Sequence, residues 1–93
     1  MPSYRSILTV TTLRPGRNPA EVEAEARRAR RLESFDVSIA AGEARATLRF
    51  TALDDEEARE AHALLRAAVE TVAEVPGARL AKVVRGRSEI IGA

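Results

Sequence analysis

The sequence predicts an α+β sandwich in which a four-stranded antiparallel sheet carries two helices on one face. Three observations carry that reading. β-branched or alternating apolar stretches recur four times, two longer stretches place apolar residues at helical spacing, and they follow one another as strand, helix, strand, strand, helix, strand. A chain of 93 residues has room for one domain of this kind, spanning 1–93.

Tyr4 to Leu13 is rich in β-branched residues, with Leu8 and Val10 on one face and Ile7, Thr9 and Thr11 on the other, and predicts the first strand. Arg14-Pro15-Gly16-Arg17 interrupts it. Asn18-Pro19-Ala20-Glu21 then supplies a capping Asn, a Pro at the first helical position and a Glu at the third, so a helix is expected from here to near Ser34. Its apolar positions are Val22, Ala26, Ala29 and Leu32. Glu21, Glu23 and Glu25 precede Arg27, Arg28, Arg30 and Arg31, in the order that suits the helix dipole.

Phe35, Val37, Ile39 and Ala41 alternate with polar residues, Gly42-Glu43 turns the chain, and Ala44, Ala46, Leu48, Phe50 and Ala52 alternate with Arg45, Thr47, Arg49 and Thr51. This predicts an antiparallel hairpin with one buried face. Asp54-Asp55-Glu56-Glu57 reads as a helix start, and Ala58, Ala61, Leu65, Ala68, Val72 and Val75 form the stripe of a second helix that Pro76-Gly77 ends. Ala78 to Arg87 is expected as the fourth strand and Ser88 to Ala93 as a short tail. The order is that of ferredoxin-like modules, with the first and third strands central.

Leu, Ile, Val and Phe make up 22 of the 93 residues, enough for a folded chain, but 18 further residues are Ala, which buries little area. The core is expected to be thin and to gain from a partner surface. Fifteen basic against fourteen acidic residues leave a net charge of +1, which disfavours nucleic-acid binding by bulk charge. The absence of cysteine excludes disulfides, thiolate metal sites and a cysteine nucleophile. No apolar run is long enough for a membrane span, and the start does not resemble a signal peptide, so a cytoplasmic location is expected. Fourteen Arg against one Lys, with the alanine content, point to GC-rich bacterial coding.

His62 is the single histidine, which rules out histidine pairs and histidine cages. At the edge of the second helix's stripe it is expected to be half-exposed, dispensable and without a catalytic role. Asp54 to Glu57 are adjacent on a helix start and do not converge on one ion, so they are read as a cap. Arg27 to Arg31 reads as a solvated helix end. No catalytic residue, metal ligand or cofactor is expected.

Two surfaces are candidates for binding. The loop residues Arg14, Gly16, Arg17 and Asn18 abut a helix N-terminus, a feature suited to a small anionic ligand. The open sheet face is expected to carry Arg5, Ile7, Thr9, Thr11, Arg45, Thr47, Arg49 and Thr51; of these Arg5, Arg45, Thr47 and Arg49 are the candidate interaction or anion-binding residues. Their bland alternative is to keep the face soluble by pairing with acids such as Asp36. RNA-recognition domains of this topology need stacking aromatics on the same strands, and the chain has only Tyr4, Phe35 and Phe50. An acylphosphatase-like Gly-rich loop and the bulky pocket of small monooxygenases are likewise missing.

Leu13-Arg14-Pro15-Gly16, between the first strand and first helix, resembles the acid-Arg-Pro-Gly corner of ACT domains. The resemblance covers four residues. Leu13 stands at the acidic position, and Leu32-Glu33-Ser34-Phe35 stands where that family has a glycine-bearing segment. It implies a regulatory module that pairs and binds an amino acid. The leading expectation is a non-catalytic oligomerisation or protein-interaction module: a homodimer, a larger assembly, or a small subunit of a larger complex. An ACT-like ligand sensor and an anion- or nucleic-acid-binding domain acting through the Arg/Thr face are the alternatives.

Overall fold

Ser3–Val10 forms β1, and its period of two sets the layering of the molecule. Tyr4, Ser6 and Leu8 point to one side and are fully enclosed, while Arg5, Ile7 and Thr9 point to the other and remain partly open. The computed structural model describes all residues, 1–93. The remaining elements are α1 (Ala20–Ala29), β2 (Ser34–Ala40), β3 (Glu43–Thr51), α2 (Asp55–Glu70), β4 (Gly77–Val84) and β5 (Arg87–Gly92).

The sheet order is β2-β3-β1-β4-β5, with every neighbouring pair antiparallel. The first and third strands lie inside the sheet, flanked by the second and fourth, an order compatible with a ferredoxin-like arrangement. The expectation of four strands is corrected to five. Ser88 onward is not a tail, because Arg85-Gly86 turns the chain back and β5 pairs along β4. Both Arg85 and Gly86 have positive φ, 52° and 78°, as a two-residue hairpin turn of the tight mirror-image type requires. Ala41-Gly42, rather than the expected Gly42-Glu43, makes the same turn between β2 and β3, with φ of 52° and 79°, because Glu43 already pairs with Ala40 as the first residue of β3.

The first helix departs from expectation at both ends. Pro19 occupies the cap position and no side chain caps the helix; the Glu21 carboxylate instead accepts from the Asn18 backbone N–H at 2.9 Å. At the far end α1 stops at Ala29, short of Ser34, because Arg30 is extended and sends its guanidinium to the Thr51 carbonyl (2.7 Å) and to Glu57 (3.3 Å), across the Phe50 ring. The chain thereby brings Leu32 into the core from a non-helical stretch. In α2, Asp54 caps as predicted, accepting from the Glu57 N–H at 2.8 Å, while the Glu57 side chain accepts from the Leu53 N–H. The helix ends at Glu70 rather than running on to Val75, tightening into a turn in which Val72 N–H bonds the Val69 carbonyl, and Val72 and Val75 reach the core from the non-helical stretch beyond.

β1 ends at Val10 rather than Leu13, but the chain beyond it stays ordered by pairing with the segment after α2. Thr11 N–H donates to Glu74, Glu74 N–H to Thr12, and Arg14 N–H to Val72. The core lies between the helices and the sheet, around Leu8, Leu48, Phe50, Leu65, Val69, Val72 and Leu80. Ala26, Ala46, Ala52, Ala58 and Ala61 are also buried there, so much of the interior is methyl-sized. No helix is long and apolar enough to cross a membrane.

Candidate functional site

The burial of His62 overturns the expectation of a half-exposed residue. Its imidazole is 4% exposed, and Nδ1 lies 2.7 Å from Ser6 Oγ, which is fully buried on the helix-facing side of β1. Helix periodicity places His62 beside Ala58, Ala61 and Leu65, and the alanines leave room for the ring to reach the sheet. Nε2 is enclosed without a partner. Burial, assisted by the positive charge of Arg66, holds the imidazole pKa below its usual 6.5. Neither Ser6 nor His62 lines a surface concavity, and the pair ties β1 to α2 inside the core.

A second polar link lies one pleat away. Tyr4 donates its hydroxyl to Asp55 Oδ1 at 2.7 Å, and Lys82 Nζ approaches the same oxygen at 3.3 Å. Burial, together with the Asp55 carboxylate, pushes the Tyr4 pKa up to about 12, and the Tyr4 hydrogen bond holds Asp55 below its usual 3.8. Tyr4 stacks on Phe50 with 5.8 Å between centroids, and Lys82 and Arg30 lie over the Tyr4 and Phe50 rings respectively.

The loop residues singled out for a small ligand are largely engaged within the chain. Arg17 Nε pairs with Glu21 at 2.9 Å, and the same carboxylate oxygen takes the Asn18 N–H, so Glu21 occupies the position an anion would need. Arg14 donates to the Glu70 carbonyl at the end of α2. Gly16 has a φ of 78° and serves the turn in which Arg17 N–H bonds the Arg14 carbonyl.

The open sheet face brings Arg5, Arg45, Thr47 and Arg49 onto one surface, as their spacing predicts. Arg5 stands directly opposite Arg49, and the two like charges turn apart. Arg5 donates to Ser88 Oγ (2.7 Å), whereas Arg49 Nε faces Glu33 at 3.7 Å without a hydrogen bond. The expected pairing with Asp36 does not form. Asp36 stands opposite Thr47, and neither Asp36 nor Arg45 belongs to an ion pair. Arg79, missed from sequence, joins this face beside Ile7 and Thr9 in a concavity that also includes Arg45.

A further surface was assigned to the buried side by its alternation. Val37 and Ile39 lie on the helix-facing side of β2, yet they are 59% and 72% exposed. Beside them lies an apolar groove of about 250 Å³ between the start of α1 and the sheet, lined by Val10, Leu13, Pro19, Val22, Val37, Ala44 and Ala46 with Thr11. Period-two alternation identifies which residues share a face. It carries no information on whether a helix reaches far enough to cover them.

No family model, no curated protein and no solved structure matches the chain.

Proposed function

We propose that the protein is a non-catalytic module that works by pairing, either with copies of itself or as a small subunit of a larger assembly. One observation carries this reading: the helix side of β2 leaves Val37 and Ile39 open to water beside a groove lined by seven apolar residues. A thin core rich in alanine makes such a surface costly to leave uncovered, and contiguous apolar surface of this kind is characteristic of interfaces. Light scattering of the full chain over a dilution series tests it. The reading expects a mass above that of one chain at tens of micromolar, falling on dilution; a constant single-chain mass overturns self-association.

A second reading, anion binding on the open sheet face, is favoured by Arg45 and Arg79, which flank Ile7 and Thr9 with no ion-pair partner. It calls for a salt-sensitive interaction that Arg45→Glu abolishes without loss of folding.

A further inference from the structure

The two edges of the sheet differ in how well they are guarded against pairing. β5 alternates Arg87 and Glu89 along its six residues, and its pairing with β4 shifts register between Leu80 and Ala81. Charges and irregularities of this kind are how edge strands avoid joining other sheets. β2, the opposite edge, runs for seven residues, Ser34–Ala40, with no proline, no basic residue and no bulge. Its helix side presents Phe35, Val37 and Ile39, and its single charge is Asp36.

We propose that β2 pairs antiparallel with β2 of a second copy about a two-fold axis at Val37, joining two five-stranded sheets into one. The proposal rests on the pairing reading above and adds the surface and the register. Val37 is the midpoint of Ser34–Ala40, so this register uses the whole strand: Ser34 meets Ala40, Phe35 meets Ile39 and Asp36 meets Ser38 of the other copy. On the helix side the seam is then a row of apolar pairs, Phe35–Ile39, Val37–Val37 and Ile39–Phe35. Aromatic and β-branched partners of this kind pack well across strands, and the row continues the groove at Val10, Leu13 and Val22.

Charge on the open face selects this register over its neighbours. Arg45 stands opposite Ser38 and Asp36 opposite Thr47 within each chain. With the axis at Val37, each seam row reads Arg45, Ser38, then Asp36 and Thr47 of the second copy. Arg45 and that Asp36 are two strands apart, about 10 Å between backbones, with only a serine side chain between them. Both are exposed and unpaired in the single chain, and the two-fold makes the pairing twice. An axis at Asp36 sets the two carboxylates directly opposite each other, and an axis at Ser38 places both Arg45 side chains in one row. Like charges in either arrangement oppose the contact.

The test measures the dimer dissociation constant of the full chain by light scattering and sedimentation, with far-UV circular dichroism and thermal unfolding as the check on folding. Val37→Lys puts two ammonium groups on the axis at a position already open to water, and is expected to give a folded single-chain species. Asp36→Arg and Arg45→Asp are each expected to weaken the dimer about tenfold, and the double reversal to restore it to within about threefold of the parent. A parent that stays a single chain overturns both the pairing reading and this proposal. A Val37→Lys protein that still dimerises overturns the β2 seam and leaves pairing to another surface, and a double reversal without rescue overturns the register.

Discussion

Ser6 and His62 show how a polar residue can belong to a core. The Ser6 hydroxyl and the imidazole Nδ1 bond each other at 2.7 Å across the layer between β1 and α2, while Nε2 stays enclosed without a partner. Because burial holds the imidazole pKa below 6.5, the unfolded chain takes up a proton at higher pH than the folded one. Stability is therefore full above about pH 6.5 and falls as the pH drops below it, through the folded-state pKa. Urea unfolding from pH 7.5 down to pH 5 checks this: the parent is expected to weaken across the window while His62→Gln stays nearly flat. Asp55 acts in the same direction only below its usual 3.8, outside that window. Equal slopes for parent and variant contradict the assignment. The sequence offered one clue to this role, the placement of His62 beside Ala61 and Leu65. It could not reveal Ser6 as the partner, because a pair 56 residues apart depends on how the helix sits on the sheet.

At the scale of elements, four of the seven were legible almost where they lie, namely β1, the β2–β3 hairpin and β4, and α2 was legible at its Asp54 cap though it ends at Glu70, short of Val75. Local chemistry specifies each of these, through alternation, a Gly-containing turn or a capping carboxylate. The early end of α1 was not legible, because it depends on what Arg30 gains from Thr51 and Glu57 in an extended conformation. β5 was overlooked although its signal was present: Arg85-Gly86 repeats the Xaa-Gly turn of Ala41-Gly42, and Ile90 and Ile91 follow. That turn makes a prediction. Gly86 has a φ of 78°, and a Cβ built there meets nothing within 4 Å, so any cost of substitution is conformational. Gly86→Ala is expected to destabilise the protein by about 1 kcal/mol in urea unfolding. Arg85→Asn, which suits a positive φ better than Arg, is expected to stabilise it by a few tenths. A neutral Gly86→Ala contradicts the turn assignment.

At the scale of the whole molecule, the layered architecture explains why one edge of the sheet is left unfinished. Two helices lie on one side of five strands, and they leave the Val37 and Ile39 side chains of β2 uncovered. The apolar side of that strand was therefore predicted correctly as a face and wrongly as an interior. The Arg/Thr side was legible as an open face, but the division of its arginines was not. Arg5 is drawn to Ser88 on a strand the sequence reading lacked, Arg49 to Glu33, and Arg45 is left free opposite Ser38. Under the pairing proposal the two edges carry opposite expectations: β2 is expected to be joined by a second copy, and β5 to stay at the edge.

Hydrogen exchange of the backbone amides, read by mass spectrometry at high and low protein concentration, tests this most directly. Amides on the outer edge of a strand are protected only when another strand covers them. The account predicts that peptides spanning Ser34–Ala40 are protected at high concentration and lose that protection on dilution, while those spanning Arg87–Gly92 exchange at the same rate throughout. Exchange over Ser34–Ala40 that is fast and independent of concentration, or concentration-dependent protection confined to Arg87–Gly92, contradicts it.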